Sequence, residues 1–197
     1  MQSGKNNLLK ISKAEADKWI LYGLKKKEED EINILLSEGN EDNLIESFHK
    51  KLEFGTGGMR GLIGIGSNRI NSYTISLATQ GLCNYLNKDI NKNKSAVIAY
   101  DSRRFSKEFG YQTAKIFSAN NIKSYIFSDL RPTPELSFAV RELNCSCGIV
   151  ITASHNPKEY NGYKVYWNDG GQITSPHDNN IISEVEKITD FKQINFN

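Results

Sequence analysis

The sequence predicts an α/β domain with a mixed, mostly parallel sheet sandwiched by helices, behind a helical N-terminal extension. Short apolar runs at 96–100 and 148–152 have the length and the β-branched content of buried strands. From residue 72 onward, segments with apolar residues at helical spacing alternate with such runs. Alternating strands and helices are typical of a largely parallel sheet with helices on its faces.

The N-terminal part of the sequence predicts two helices. Residues 12–36 have apolar side chains at roughly helical spacing, with Ser12 as N-cap and Glu15 at capping-box distance. The charged run at 25–31 is either a solvated helical face or a short break. Because its acids cancel its lysines, it does not indicate nucleic acid. A second helix is predicted over 41–52, after a turn signal.

The character of the sequence changes at residue 54, where a glycine-rich segment begins. We assign residues 1–53 to an N-terminal helical extension and residues 54–197 to the main domain. In the main domain we predict helices at 72–90, 106–120, 134–143 and 177–189, and strands at 96–100, 123–127, 148–152 and 163–167.

Composition and charge exclude several classes of protein. The 197 residues suffice for one substantial domain, and a net charge of +2 indicates neither a nucleic-acid partner nor a membrane surface. The three cysteines lack paired spacing, so we expect buried or half-buried thiols and no disulfide scaffold. No apolar stretch approaches the roughly 20 residues of a membrane span, and the first residues lack the apolar core of a signal peptide. A cytoplasmic protein is therefore expected.

Four segments are candidates for a functional site. In an α/β sheet, ligands gather at loops that leave the carboxyl ends of strands. Residues 100–106 and 152–157 come at the ends of predicted strands, and residues 160–165 lead into the next strand. The fourth segment, residues 54–61, contains four glycines.

The segment at 152–157 places a serine, a histidine and an asparagine before a proline that restrains the loop. A serine hydroxyl is a poor nucleophile unless a base or a cation assists it. The candidates for this assistance are His155, Lys164, Arg60 and Arg103. From the residues alone, a polar turn in which His155 and Asn156 only satisfy backbone groups is an equally good interpretation. A serine-hydrolase site is disfavoured, because Ser154 is not flanked by glycines.

The glycine-rich segment does not match a nucleotide-binding pattern. A dinucleotide fingerprint needs glycine where Arg60 stands, and no strand is evident before the segment. The Gly-Lys-Ser/Thr ending of a P-loop is missing too. A tight turn that presents Arg60 to a phosphate or a phosphoserine fits better, since glycine permits close backbone approach. A purely structural glycine turn is the alternative.

Together, these motifs resemble the first domain of the α-D-phosphohexomutases. The resemblance rests on Phe-Gly-Thr-Gly-Gly-Met-Arg-Gly at 54–61, Asp-Ser-Arg at 101–103, Thr-Ala-Ser-His-Asn-Pro at 152–157 and Tyr-Asn-Gly-Tyr-Lys at 160–164. The family includes phosphoglucomutases, phosphomannomutases, phosphopentomutases and phosphoglucosamine mutases. The helical extension is most similar to the phosphoglucomutase/phosphopentomutase branch.

The resemblance implies roles for individual residues. Ser154 would carry a phosphoryl group that passes to a hexose monophosphate and is replaced from the resulting bisphosphate, and Lys164 would act in general acid/base catalysis. His155 and Arg60 would take further catalytic roles. Support for the phosphate and its loop would come from Asn156, Asp101, Arg103, Thr56, Gly57 and Gly58. Mg²⁺ would contact the Ser154 phosphate, and a sugar bisphosphate would serve as activator.

The metal loop, the sugar-recognition loop and the second phosphate-binding loop of that family have no counterpart in the sequence. We therefore expect the catalytic-serine domain of a longer mutase, inactive alone, with a hexose phosphate and domains II–IV of the same protein as partners. One alternative is a non-catalytic module that binds a sugar phosphate or serves as a scaffold. Within the family, the alternatives are a phosphopentomutase and a hexose bisphosphate synthase.

Overall fold

Three helices form the N-terminal part of the protein. The computed structural model describes residues 2–55, 57–89 and 94–196. Helix α1 is Gln2–Leu21, helix α2 is Lys26–Leu36 and helix α3 is Glu41–Phe48. Their apolar faces meet in a buried cluster that includes Trp19, Ile32 and Phe48.

Two expectations for these helices are corrected. The helix predicted over 12–36 is divided into α1 and α2 by a turn at Gly23, whose φ of +73° suits glycine better than other residues. Ser12 is not an N-cap, because α1 already begins at Gln2. Its buried hydroxyl instead donates to the Leu8 carbonyl oxygen one turn earlier, at 2.8 Å.

The main domain is built on one sheet. Its strands are β1 (Phe54–Gly55), β2 (Gly58–Leu62), β3 (Ser95–Tyr100), β4 (Lys123–Ile126), β5 (Cys147–Ile151) and β6 (Tyr160–Trp167). They lie in the order β1-β2-β6-β5-β3-β4. The strands predicted near 96, 123 and 148 are confirmed to within one residue at each end, whereas β6 begins three residues earlier than predicted.

The sheet is mixed, as predicted, but it is less parallel than expected. Strand β3 pairs in parallel with β4 and β5, whereas β1–β2, β2–β6 and β5–β6 are antiparallel. The connection from β5 to β6, residues 152–159, is too short for a parallel crossover, which needs a dozen or more residues. The glycine-rich segment likewise forms the β1–β2 hairpin, where we expected a turn without strands.

Helices cover both faces of the sheet. They are α4 (Ser72–Leu86), α5 (Ser106–Ala119), α6 (Thr133–Glu142) and α7 (His177–Glu186), followed by a 3-10 turn at Phe191–Gln193. Ile98 and Ile149 share one buried cluster with side chains of α4, α5 and α7. Val97 and Val150 point to the other face and pack against α6. The predicted sandwich of helices around a sheet is confirmed.

An aromatic cluster joins the N-terminal helices to the main domain. The Trp19 ring meets Phe191 edge-on at a centroid distance of 5.2 Å and lies 5.6 Å from Tyr73. The Tyr22 hydroxyl also donates to the Thr189 carbonyl oxygen at 2.8 Å. The extension therefore contacts both the start of α4 and the segment that follows α7.

Two expectations from composition can be compared with the fold. Cys83, Cys145 and Cys147 are buried free thiols, as predicted. In the parts of the chain that the structure describes, no helix combines the length and the apolar character needed to cross a membrane.

Candidate active site around Ser154

Ser154 lies in the loop between β5 and β6, which we call the serine loop (residues 152–159). It is exposed and has a φ of +56°, a left-handed conformation that is uncommon for residues other than glycine. Its amide N–H donates to the Thr152 Oγ1 at 3.0 Å. Strained backbone conformations of this kind cluster at functional sites, so the conformation of Ser154 makes it a candidate functional residue.

Lys164 reaches Ser154 from the neighbouring strand. Its Nζ donates to the Ser154 Oγ at 2.5 Å. Lys164 lies on β6 between two strands, opposite Val150 of β5 and Gly58 of β2. Because its backbone is paired on both sides, a rigid element aims the ammonium at a residue on a loop.

The environment of Lys164 lowers the pKa of its ammonium group. Partial burial lowers the pKa of the ammonium below its ordinary value, and the nearby Arg60 guanidinium lowers it further. The Asp101 carboxylate opposes part of this shift. A lysine with a lowered pKa beside a serine hydroxyl can exchange a proton with it, and such groups are common in active sites.

Arg60 lies on β2, the strand that pairs with β6 on the side away from β5. It is opposite Gly162 of β6, two residues from Lys164 and on the same face of that strand. Its guanidinium is exposed and donates to the Asn156 Oδ1 at 2.7 Å. Arg60 and Asn156 are therefore neighbours across the serine loop.

Arg103 holds the serine loop by its backbone. Its guanidinium donates to four carbonyl oxygens, those of Ser154 (2.8 Å), Asn156 (2.7 Å), Pro157 (2.8 Å) and Tyr160 (3.0 Å). A planar guanidinium with donors in a fixed fork suits such a set of acceptors, and a lysine could not reproduce it. Arg103 thus fixes the course of the loop, and most of its hydrogen-bonding capacity is used there.

Asp101 fixes Arg103 in turn. Its Oδ2 lies 3.4 Å from the Arg103 Nε, and its Oδ1 accepts a hydrogen bond from the Arg103 amide at 2.9 Å. Asp101 follows β3 and Ser154 follows β5, and these two strands are parallel neighbours. Their carboxyl ends meet at one edge, which is why segments 51 residues apart in sequence form one site.

The glycines of the β1–β2 hairpin allow the backbones to approach closely. Gly58 has a φ of +131°, and a Cβ there would collide with the Tyr163 carbonyl oxygen. Gly57 accepts a hydrogen bond from the Val165 amide at 2.9 Å, so the hairpin lies against β6 beside Lys164. Gly57 and Gly58 therefore position backbone, and Thr56, predicted with them, lies outside the described residues.

His155 differs from the other predicted site residues. It is exposed, and within the described parts of the chain it makes no hydrogen bond. The structure thus gathers six of the predicted site residues at one place, namely Ser154, Lys164, Arg60, Asn156, Asp101 and Arg103, whereas the exposed His155 side chain takes no part in these contacts. Its predicted catalytic role remains a prediction.

A cleft opens in front of Ser154. Further side chains line it beyond the predicted ones, namely Ile63, Ser102, Arg104, Lys158 and Glu159. Two buried polar residues behind the cleft, Ser106 and Asn161, were not among the predicted site residues. Both belong to candidate segments, since Ser106 is the last residue of segment 100–106 and the first of α5, and Asn161 is the second residue of β6. Among the described residues, no group of His, Cys, Asp or Glu side chains could hold a metal ion.

The fold and the site around Ser154 lie within a segment that matches the model of one protein family. The matching family model is described as phosphoglucomutase/phosphomannomutase, alpha/beta/alpha domain I, and it covers residues 51–192. The chain belongs to the phosphoglucomutase/phosphomannomutase family, as the sequence motifs indicated.

The relatives are mutases of several kinds. The chain is 41% identical to human phosphopentomutase over 181 residues, which is 88% of the chain and 30% of the relative. It is 46% identical to the phosphoglucomutase of Staphylococcus aureus strain MRSA252 over 149 residues, 76% of the chain and 27% of the relative. The chain thus spans less than a third of the length of these curated relatives.

Solved structures show the same fold. A Thermus thermophilus protein, provisionally assigned as a phosphomannomutase, matches with a TM-score of 0.67 at 26% identity, over 75% of this chain and 32% of that one. The open form of pp63/parafusin, a phosphoglucomutase from Paramecium, matches with a TM-score of 0.60 at 25% identity, over 71% and 27% of the two chains.

Proposed function

We propose that Ser154 is the phosphoryl-carrying residue of a hexose-phosphate mutase, and that this chain is the catalytic-serine domain of that enzyme. The enzyme would interconvert hexose 1-phosphate and hexose 6-phosphate through a phosphoserine and a sugar bisphosphate. The single observation that carries the proposal is the 2.5 Å contact between the Lys164 Nζ and the Ser154 Oγ. Family membership supports the reaction class.

The proposed chemistry consists of two phosphoryl transfers, and one proton is transferred through Lys164 in each of them. In the first, a sugar hydroxyl attacks the phosphorus on Ser154, the P–Oγ bond breaks, and Lys164 passes a proton from the sugar hydroxyl to the Oγ. In the second, the Oγ attacks the other phosphate of the bisphosphate, and Lys164 passes the proton back to the departing sugar oxygen. A lysine with a lowered pKa suits both directions, because it can be amine or ammonium near neutral pH more easily than an ordinary lysine.

Positive groups around Ser154 support phosphoryl transfer for an electrostatic reason. Such transfers depend mainly on positioning and on stabilising the charge of the phosphoryl oxygens. Arg60 is exposed toward the serine loop, and Arg104 and Lys158 line the cleft. These cations would receive the sugar phosphate and the transferring group, and His155 would move to assist them.

The Mg²⁺ implied by the resemblance does not find a complete site in the described residues. Magnesium is usually bound by one or two carboxylates together with phosphate oxygens. The Asp101 carboxylate already accepts hydrogen bonds from Arg103 and Ser106, and Glu159 is exposed at the rim of the cleft. A phosphate on Ser154 would supply one oxygen ligand, and further ligands would have to come from outside these residues.

Phosphate mapping tests the assignment of Ser154. The protein is incubated for hours with glucose 1,6-bisphosphate and Mg²⁺, and the modified residue is located by peptide mass spectrometry. We expect a phosphate ester on Ser154, none in Ser154→Ala, and unchanged labelling in Ser102→Ala, the matched control, because Ser102 is an exposed serine in the same cleft. Equal labelling of Ser154→Ala and the unsubstituted protein would refute the proposal.

A phosphopentomutase is the second candidate. The human phosphopentomutase match covers 88% of the chain, including part of the N-terminal extension, whereas the bacterial phosphoglucomutase match covers 76%. Competition between ribose 1-phosphate and glucose 1-phosphate for the complete enzyme separates the two. A larger kcat/KM for the pentose would favour this candidate, and a larger value for the hexose would favour the first.

A further inference from the structure

A chain of side-chain hydrogen bonds runs behind the cleft, from β6 to the serine loop. Its first member is Asn161, next to Tyr160 at the start of β6 and fully buried. The Asn161 Nδ2 donates to the Ser106 Oγ at 3.0 Å and to the Arg104 carbonyl oxygen at 3.1 Å, while its Oδ1 accepts from the Gly162 amide at 2.8 Å. Each polar atom of the Asn161 side chain therefore has a partner.

Ser106 determines which groups donate and which accept along this chain of hydrogen bonds. Its hydroxyl is fully buried at the first position of α5, and it donates to the Asp101 Oδ1 at 2.8 Å. A hydroxyl has one proton to donate, so Ser106 must accept from Asn161 while it donates to Asp101. Hydrogen bonds in series that end on a carboxylate polarise one another and become stronger.

The chain ends on the guanidinium that shapes the serine loop. Asp101 is bonded to Arg103 by its two carboxylate oxygens, and Arg103 binds the four carbonyl oxygens named above. Asn161 is thus linked through Ser106, Asp101 and Arg103 to the backbone of Ser154. Since Asn161 and Lys164 lie on the same strand, the chain connects the element that carries Lys164 to the loop that carries Ser154.

We propose that Ser106 and Asn161 are positioning residues, which hold Arg103 and thereby keep the Ser154 Oγ at hydrogen-bonding distance from Lys164. The inference rests on the proposed role of Ser154 for its functional meaning, but its geometry can be measured separately. Neither residue touches the cleft, so each acts only through the others.

The substitution Ser106→Ala breaks the chain with little other damage. Its two partners each keep another bond, because Asp101 Oδ1 retains the Arg103 amide and the Asn161 Nδ2 retains the Arg104 carbonyl. Ser76→Ala is a matched control. Ser76 is also a buried helical serine that donates to one oxygen, that of Ser72, and accepts from one side-chain amide, that of Gln112, but it lies on α4.

Two measurements by NMR test the inference. In Ser106→Ala we expect the amides of Ser154 and Asn156 to exchange with solvent roughly five- to tenfold faster, in proportion to one lost hydrogen bond. We also expect the pKa of Lys164, followed through its ¹³Cε resonance, to move toward its ordinary value. Ser76→Ala should change neither quantity. If Ser106→Ala changes neither, or if both variants change them equally, the inference is wrong.

Arg103→Lys provides a second route, which also serves if Ser106→Ala does not fold. We expect the side-chain amide of Asn161 and the backbone amides of the serine loop to exchange with solvent faster together, since they are linked by one chain of hydrogen bonds. Faster exchange of the loop amides alone would overturn the inference. In a double variant, Ser106→Ala should add little to Arg103→Lys, because both act through the same guanidinium. Phosphate mapping on Ser154 reports the proposed function independently, so failure of one does not imply failure of the other.

Discussion

Lys164 combines a rigid backbone with a weakly held proton. Its strand is paired on both sides, and burial together with Arg60 lowers the pKa of its ammonium. The presence of a lysine in a recognised motif could be read from the sequence. Its distance from Ser154 could not, because that depends on how the short connection between β5 and β6 folds back. Ser106 and Asn161 were missed because the hydrogen bond that joins them connects residues 55 apart in sequence.

The lowered pKa of Lys164 has a consequence for stability. Between the folded pKa and the ordinary value of 10.5, the unfolded chain binds more protons than the folded protein, so the free energy of unfolding rises with pH in that window. Lys164→Met removes this partly buried charge. We expect this variant to be the more stable one at neutral pH, and the difference to shrink as pH approaches 10.5. Urea unfolding at a series of pH values measures it, and a difference independent of pH would contradict the assignment.

The left-handed conformation of Ser154 predicts an unusual order of stabilities. Ser154→Ala and Ser154→Gly both remove the hydroxyl, so they differ only in the Cβ methyl group and in its effect on the backbone conformation. Because a residue with a Cβ pays about 1–2 kcal/mol in this region, part of which the flexibility of glycine in the unfolded chain offsets, we expect the glycine variant to be about 1 kcal/mol more stable. Thermal unfolding of the two variants provides the comparison. An alanine variant as stable as the glycine variant would mean that φ is negative in solution.

At the scale of elements, strands with apolar runs were predictable and the glycine hairpin was not. Strands β3 and β5 are buried on both faces, which gives their sequences an unbroken apolar character. Strand β2 contains two glycines in five residues and has no such signature. What makes it a strand is pairing with β6, a contact between segments about a hundred residues apart in sequence. Local propensity contains no information on such a contact.

The hairpin gives a prediction with an internal control. Gly58→Ala places a Cβ against the Tyr163 carbonyl oxygen at a φ of +131°, so we expect a loss of about 2–4 kcal/mol in unfolding free energy. Gly55→Ala, in the same hairpin, meets nothing within 4 Å and should be close to neutral. Denaturant titration of both variants measures the difference. Similar stabilities would show that β2 does not lie against β6 as described.

At the scale of the whole molecule, the serine site is open on one side. The cleft is lined by the loop that follows β3, by the serine loop and by Ile63, and the chain spans less than a third of the length of its curated relatives. The boundary predicted between residues 53 and 54 stays a prediction, although the family model begins close to it, at residue 51.

We expect this chain alone to show no mutase turnover, because the sugar would be held from one side only and positioning supplies most of the rate in phosphoryl transfer. A coupled assay with glucose 1-phosphate, Mg²⁺ and a bisphosphate primer measures it. Turnover within about tenfold of the typical enzyme value of roughly 10 s⁻¹ would overturn this expectation. Supplying the remaining length of a longer family member as a separate protein should restore activity if that protein docks on the cleft.

The strand order has a further consequence, for the time at which the protein folds during synthesis. Strand β2 leaves the ribosome early, but among the described strands it pairs only with the two-residue β1 and with β6, the last strand of the sheet. Until β6 emerges, β2 has no lasting partner, and the hydrogen bond from Arg60 to Asn156, which joins residues 96 apart, cannot form. Arg60 and Lys164 therefore become neighbours in a single late event, so no nascent chain that ends before β6 can assemble these contacts around Ser154.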